Sequence, residues 1–97
     1  MKFIQFQGNK YINLNNVVSV IPMASPESKH KIVVYTTELH EGGEYTVIRG
    51  LTERQLEIVM DDFHDFLSTE SNVFQFDLDW IKQVEYWVNK QGGVTND

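Results

Sequence analysis

Four carboxylates recur every four residues in one segment of the chain, GLTERQLEIVMDDFHDFL at positions 50–67. In a helix they would form a row along one side, which we name the acidic ladder: Glu53, Glu57, Asp61 and Asp65. Asp61, His64 and Asp65 stand at i, i+3 and i+4, a spacing that can present two or three ligands to one metal ion. General acid catalysis is the other chemistry open to such carboxylates, provided that one of them lies in a cleft of low dielectric.

Other signals of catalysis are missing from the sequence. It contains no cysteine, no Gly-x-Ser-x-Gly segment around a serine, and no Gly-x-x-x-x-Gly-Lys loop for phosphates. A histidine on an acidic helix is more often simply solvated than bound to a metal. We therefore predict no catalytic residue, no metal site and no cofactor, and a metal-dependent enzyme is the least supported alternative.

Charge is distributed unevenly along the 97 residues, whose net charge is −6. Residues 1–50 contain five basic and four acidic side chains, whereas residues 51–97 contain three basic and ten acidic ones. Phosphate backbones and anionic membrane surfaces repel such a chain, so we predict no direct nucleic-acid binding and no membrane binding.

The sequence also carries signals of location. The alternating start MKFIQFQGNK is unlike a signal peptide, and no apolar run is long enough to span a bilayer. The absence of cysteine suits a reducing compartment. Together these features predict a cytoplasmic protein.

The first half of the chain alternates in the manner of strands. Gly8 and Asn9 predict a tight two-residue turn, and a polar turn is expected at 38–43. Short connections favour an antiparallel meander of about five strands, at 2–7, 10–14, 17–21, 31–37 and 44–48.

The second half changes to a helical period. Thr52 and Gln55 fit a capping box at the start of a helix over about 52–68. Its apolar stripe predicts a core face made of Leu56, Val59, Met60, Phe63 and Leu67, with Phe66 at the flank. Residues 73–76 read as a strand or an extended connector. Asp77 caps a second helix over about 78–90, before Gly92-Gly93 and a disordered tail at 92–97.

These elements predict an α+β fold in a single domain, residues 1–97. Two C-terminal helices pack on one face of an antiparallel sheet of about five strands, with all of the sheet within 2–48. One apolar residue of the first helix, Ile58, lies opposite the predicted core face on the helical wheel. It is either a scattered exposed residue or is covered by the second helix or by a second copy of the chain.

The acidic ladder has three interpretations. Like charges at i, i+4 destabilise a helix by a few tenths of a kcal/mol each, so the ladder is either a solvated face or a docking surface for a basic partner. Imitation of a DNA backbone is the third. The axial spacing of the ladder is roughly 6 Å, against about 3.4 Å per phosphate, which makes one ladder half as dense as a strand.

The second helix carries more apolar surface than one contact needs. Leu78, Ile81, Val84 and Val88 form a stripe, and Trp80 and Trp87, seven residues apart, extend its edge. Tyr86 points away and would belong to a rim. This surface either packs only in the core or takes part in an intermolecular contact as well. The second possibility stays open because Trp is a frequent anchor of interfaces. We expect Trp80 to be the more buried and Trp87 the more available.

One family resemblance follows from the pattern GNKYINLNNVVSVI…KIVVYTT…GGEYTVI and the capped helix after it. Over roughly residues 3 to 67 the chain resembles the small FlbD-like flagellar regulators, which are short, strand-rich chains ending in a helix. The resemblance implies a regulatory role. It rests on a hydrophobic pattern with turn glycines, carries over no functional residue, and leaves out the second helix.

The sequence thus favours a non-catalytic protein-binding module, a regulator or inhibitor that docks a basic partner. The candidate contact residues are the acidic ladder, Ile58, Trp80 and Trp87. A homodimeric structural or regulatory module is the alternative. The identity of the partner and the oligomeric state are not determined by the sequence.

Overall fold

The computed structural model describes residues 1–37 and 43–95, and the side chains of these residues except Ser28 and residues 91–95. The predicted turn at 38–43 lies outside the described residues except for Gly43, and so do residues 96–97 of the predicted tail. The elements follow in the order β1 (Phe3–Phe6), β2 (Lys10–Asn13), β3 (Val17–Met23), β4 (His30–Thr36), β5 (Glu44–Leu51), α1 (Glu53–Leu67), β6 (Val73–Phe76) and α2 (Leu78–Thr95). The predicted α+β class with two helices is confirmed.

The strands form two three-stranded sheets, so the predicted single meander is wrong. The first sheet has the order β2-β1-β6 and the second the order β3-β4-β5. A one-turn 3-10 helix at Leu14–Asn16 follows β2, and the next strand joins the second sheet. β1 instead pairs with β6 in parallel, from Phe3 opposite Val73 to Phe6 opposite Phe76. Because β6 follows β1 by about seventy residues, no pattern of neighbouring residues indicates that the two strands pair.

The first hairpin also departs from expectation. β1 and β2 pair antiparallel from Ile4 opposite Ile12 to Phe6 opposite Lys10, which leaves a three-residue loop at positions 7–9. Both Gln7 and Gly8 have positive φ, 50° and 78°. The left-handed stretch therefore begins one residue before the predicted Gly8-Asn9 turn.

A single hydrophobic cluster joins both sheets and both helices. Phe63 of α1 lies at its aromatic centre, with ring centroids 5.3 Å from Phe74 and 5.9 Å from Phe76. The predicted burial of Phe63 is confirmed. The other members come from every strand except β3 and from both helices: Ile4, Phe6, Ile12, Ile32, Val34, Val47, Ile48, Leu51, Val59, Phe66, Phe76 and Ile81.

The buried face of α1 is turned from its predicted direction. Its buried residues are Gln55, Ile58, Val59, Phe63 and Phe66. Leu67 is 46% exposed, and Leu56 and Met60 are only half-buried, so their predicted core position is wrong in part. At 100° per residue the face is rotated by roughly 80° toward Ile58 and Phe66. The rotation follows from the neighbouring elements, since α2 covers Ile58 and Phe74 of β6 packs on Phe66.

Both ends of α1 are held by side chains. Thr52 Oγ1 accepts from the Gln55 backbone N–H at 3.1 Å, and Gln55 Oε1 accepts from the Thr52 N–H at 3.0 Å, so the predicted capping box is confirmed. At the other end, Lys2 Nζ donates to the carbonyls of Phe66, Thr69 and Ser71 at 3.2, 2.7 and 2.7 Å. A cation at the negative end of the helix dipole is favourable there. Lys2 thereby ties the N-terminus to the α1–β6 connection.

The second helix begins as predicted and ends later. Asp77 Oδ1 accepts from the Asp79 N–H at 3.0 Å, which makes Asp77 the cap. The helix then continues to Thr95, so the predicted end at about 90, before Gly92-Gly93, is wrong. Glycine disfavours a helix by only about 1 kcal/mol, an amount that neighbouring turns can offset.

Candidate functional site

The acidic ladder lies on the side of α1 that faces away from the core. All four of its carboxylates are exposed: Glu53, Glu57, Asp61 and Asp65. On the helical wheel their centre is roughly 155° from the centre of the buried residues. Arg54 is the one cation on the helix, and it meets Glu57 at 3.8 Å with both side chains largely exposed. The ladder is thus a solvated ridge with a strong excess of negative charge.

An apolar groove runs along one side of this ridge. Pro22 of β3 forms one part of its lining, and Leu56 and Met60 of α1 form another. Glu57 and Asp61 complete the lining, at the edge toward the ladder. Leu56 and Met60 are half-buried because they pack against the edge of the core and also line this groove.

A second groove, which we name the interhelical groove, lies between α1 and α2 on the other side of the ridge. Its apolar lining is Ile58, Val84 and Val88, and its polar lining is Arg54, Glu57, Asp61 and Asp62. Glu57 and Asp61 therefore border both grooves. The ridge carries negative charge between two strips of apolar surface.

Ile58 lies at the base of the interhelical groove and is only 8% exposed. The prediction that Ile58 is a scattered exposed residue is wrong. The alternative prediction, that the second helix covers it, agrees with the structure. Ile58 therefore contributes to the packing of α1 against α2, and it offers little surface to a partner.

The two tryptophans lie on the outside of α2. Trp80 is 55% exposed and Trp87 is 61% exposed, so the expected difference between them is small. Ile81 of the same helix is buried, and Tyr86 is exposed on the far side, as expected for a rim residue. Trp80 precedes Val84 by four residues and Trp87 follows it by three, so both tryptophans lie on the side of α2 that carries this lining residue. We name these two residues the Trp edge.

One hydrogen bond fixes the two helices near the start of α1. Gln55 is the buried polar residue of the described core, and its Nε2 donates to Glu85 Oε1 at 3.1 Å. Since Gln55 also closes the capping box, the same side chain starts α1 and holds α2. This hydrogen bond therefore helps to fix the position of α2 relative to α1, the two helices that form the walls of the interhelical groove.

The carboxyl of Asp62 lies in the same groove and is electrostatically strained. Burial raises its pKa above the ordinary value of 3.8, and the neighbouring charges of Asp65 and Asp61 raise the pKa further. A cation placed over this part of the groove would relieve that strain.

Metal binding by the helix finds no support in the geometry. Within residues 1–37 and 43–95, no three His, Asp or Glu side chains converge as a metal site requires. Asp61, His64 and Asp65 are exposed, and their side chains do not form such a group.

A third groove, which the sequence did not indicate, lies at one end of the second sheet. We name it the basic groove, and its lining is Glu27, Lys29, Lys31, Arg49 and Gly50. The only sequence signal for it is the excess of basic residues in the first half of the chain. Residues 27–31 and residues 49–50 are about twenty positions apart along the chain, and the antiparallel pairing of β4 with β5 brings them together.

Comparisons with other proteins return nothing for this chain: no family model, no curated protein and no solved structure matches it. The resemblance to the FlbD-like regulators stays a prediction. In the described part of the chain, neither helix is long and apolar enough to cross a membrane.

Proposed function

We propose that this protein is a non-catalytic protein-binding module, a regulator or inhibitor, that docks a basic amphipathic segment of a partner. The observation that supports this most is the position of the interhelical groove. Its lining joins two ladder carboxylates, Glu57 and Asp61, to apolar residues of α2, and the exposed Trp edge lies on the Val84 side of that helix. One partner segment laid along the groove would therefore meet both negative charge and apolar surface. A cytoplasmic location belongs to the proposal and rests on the sequence, which lacks cysteine.

Charge defines one side of the partner. Among ion pairs of the described residues, Arg54 with Glu57 is the one that involves the ladder, and it leaves Glu53, Asp61 and Asp65 open to external cations. Exposed charges of this kind contribute more to association rate and specificity than to affinity. A partner with lysine and arginine along one face is therefore expected to associate quickly and in a salt-dependent way.

Apolar surface defines the other side of the partner. Val84 and Val88 line the groove, and the exposed indoles of the Trp edge lie on the Val84 side of the same helix. Aromatic anchors beside a groove commonly carry most of the energy of an interface. Helix-in-groove recognition uses this combination, with the apolar face of the bound helix in the groove and its charges at the rim.

The test uses the only two tryptophans of the chain as reporters. The probe is a synthetic amphipathic helix with leucines on one face and lysines and arginines on the other. Because both indoles are exposed in the free protein, binding at the groove should shift their fluorescence to shorter wavelength in a saturable manner. A probe with the same composition in scrambled order should produce a smaller shift.

A pair of charge-matched variants assigns the surface. The ladder variant carries Glu57→Gln, Asp61→Asn and Asp65→Asn, and the control carries Glu27→Gln, Glu44→Gln and Glu70→Gln, which are exposed elsewhere. We expect the ladder variant to associate at least about fivefold more slowly and with a weaker salt dependence than the control. Equal rates and salt dependences in the two variants would show that the ladder only aids solubility.

The same pair of variants identifies the natural partner. A protein from the source cells that is captured by the wild type and the control, but not by the ladder variant, should contain a basic amphipathic segment that binds alone. A captured protein without such a segment contradicts the proposal.

Self-association through the Trp edge is the alternative, and the exposure of both indoles is what favours it. A symmetric dimer places the same patch of both copies together, so the two ladders would face like charge if they took part. Fluorescence and sedimentation over a range of concentrations separate the two functions. A mass that doubles as the indole emission shifts indicates the homodimer.

A further inference from the structure

The basic groove is the largest of the three grooves described above. Its volume is ≈ 590 Å³, against ≈ 410 and ≈ 250 Å³ for the two grooves beside the acidic ladder. Small-molecule sites commonly enclose about 300 to 1,000 Å³. Glu27 and Lys29 come from the connection between β3 and β4, Lys31 from β4, and Arg49 and Gly50 from β5.

An irregularity of the sheet builds one wall of this groove. Ile32 pairs with Ile48 and His30 with Leu51, so β5 has one residue more than β4 over this interval. Both Ile48 and Leu51 are buried, and the extra residue turns the intervening pair, Arg49 and Gly50, out to solvent. Bulges of this kind re-aim side chains and are frequent next to functional sites. Here the bulge directs Arg49 to the groove that Lys31 also lines.

Glycine suits this position because its φ is +76°. A Cβ added to Gly50 would meet no atom within 4 Å, so the space over its backbone is open. A ligand can therefore approach the main chain beside Arg49.

The charges of the groove are unbalanced. Lys29 meets Glu27 at 3.6 Å, and this is the ion pair of the groove among the described residues. Lys31 and Arg49 remain, which gives the lining a net charge of about +2 in a chain whose net charge is −6. Lys31 and Arg49 carry like charge and line the same groove, so an anion bound there would reduce the repulsion between them.

We propose that the basic groove binds the phosphate group of a small molecule. A phosphate monoester carries close to two negative charges at pH 7, which matches Lys31 and Arg49. The guanidinium group presents a fork of N–H donors to two phosphate oxygens, and a lysine ammonium adds a point charge. A polyanion such as nucleic acid fits less well, because the remaining surface is strongly acidic.

The experiment titrates the full chain with inorganic phosphate, phenyl phosphate and sulfate at constant ionic strength, and follows backbone amide shifts by NMR. We expect saturable shifts at Lys31, Arg49 and Gly50 at pH 7.5. At pH 5 the affinity for phenyl phosphate should fall about tenfold, because the second pKa of a phosphate monoester is about 6. Sulfate stays doubly charged at both pH values, so it reports changes in the protein itself. Shifts that spread over the whole surface without saturation overturn the proposal.

The two phosphates separate the possible sources. Tighter binding of phenyl phosphate supports an organic phosphate as the ligand. Equal binding of the two supports recognition of phosphate alone and overturns the small-molecule part of the proposal.

Two variants of equal charge assign the site. The groove variant is Lys31→Gln with Arg49→Gln, and the control is Lys82→Gln with Lys90→Gln on α2, where both lysines are exposed. We expect at least about a tenfold loss of phosphate affinity in the groove variant and less than about a twofold loss in the control. Equal losses overturn the proposal. Lys31 is half-buried, so its replacement can impair folding. In that case Arg49→Lys replaces the groove variant, because Arg49 is exposed and lysine keeps the charge but lacks the two-pronged donor geometry of the guanidinium group.

Discussion

The two helices use similar apolar content in opposite ways. α1 buries five of its residues and has a side-chain cap at each end. Of the described side chains of α2, Ile81 is the buried one, while Trp80 and Trp87 are more than half exposed. α1 contacts β4, β5, β6 and α2, and so lies at the centre of the molecule.

This difference separates the surface that stabilises the fold from the surface that we propose for recognition. The inner side of α1 provides the core, and its outer side is free to carry the ladder without loss of packing. α2 covers the flank of α1 and leaves its own widest apolar strip in water. If the comparison is right, substitutions on the inner side of α1 should lower stability strongly, and substitutions at the Trp edge should lower binding alone.

The largest effect is expected at Phe63. Phe63→Ala should lower the free energy of unfolding by about 3–5 kcal/mol, because it removes the ring that contacts Phe74 and Phe76. Leu67→Ala is the control, since Leu67 belongs to the same predicted stripe but is exposed, and it should cost less than about 1 kcal/mol. Urea unfolding measures both values. Equal losses would restore the helix orientation predicted from the sequence.

A smaller effect is expected at Lys2, which holds the end of α1. Lys2→Met keeps the length of the side chain but removes three hydrogen bonds to carbonyls and a charge 4.4 Å from the Phe66 ring centroid. A loss of about 1–2 kcal/mol is expected, since bonds to charged donors are the stronger ones but this site is partly solvated. Lys10→Met, at the exposed start of β2, should change stability by less than about 0.5 kcal/mol. Similar melting temperatures for the two variants would remove Lys2 from this role.

The contact between the helices is tested at Gln55. Gln55→Glu keeps an acceptor for the Thr52 N–H but places a carboxylate against Glu85, so a loss of about 1 kcal/mol is expected. Adding Glu85→Gln should recover most of that loss. A double-mutant cycle by thermal unfolding gives the coupling energy. Additive effects would mean that the bond between Gln55 and Glu85 does not hold α2.

A pH-dependent effect of a few tenths of a kcal/mol is expected at Asp62. Its pKa is raised in the folded state, so its carboxylate destabilises the fold at neutral pH. As the pH falls through the folded-state pKa the native protein takes up the proton first, and the penalty is gone below 3.8. Asp62→Asn should therefore raise the melting temperature by about 1–2 °C at pH 7 and not at all below pH 3.8. The same gain at both pH values would assign the effect to something other than charge.

Little effect on stability, but a clear effect on binding, is expected at the Trp edge. Trp80→Ala and Trp87→Ala should each change the free energy of unfolding by less than about 1 kcal/mol, because both indoles are mostly in water. Binding of the basic amphipathic probe should weaken by about 2 kcal/mol or more for each. A loss of 3–5 kcal/mol in stability would place that tryptophan in the core and reverse the comparison of the helices.

The sequence by itself determined the features that depend on neighbours along the chain. Thr52 and Gln55 close a capping box three residues apart, Asp77 caps the next helix two residues on, and Phe63 is buried wherever the apolar stripe of α1 is centred. Side chains that repeat every four residues lie on one side of any helix, so the acidic ladder needed no tertiary information. Its exposure follows from the cost of burying four unpaired carboxylates.

Only the tertiary structure decided which surfaces meet. The parallel pairing of β1 with β6 joins segments about seventy residues apart, and no local pattern records it. α1 carries apolar residues over more than half of its circumference, and the elements packed around it decide which of them are buried. α2 covers Ile58 and β6 covers Phe66, whereas Leu67 stays exposed and Leu56 half-buried. Likewise a bulge in β5 brought Arg49 beside Lys31. Grooves form where distant elements pack, and a sequence pattern fixes the faces of each element but not the neighbour that covers them.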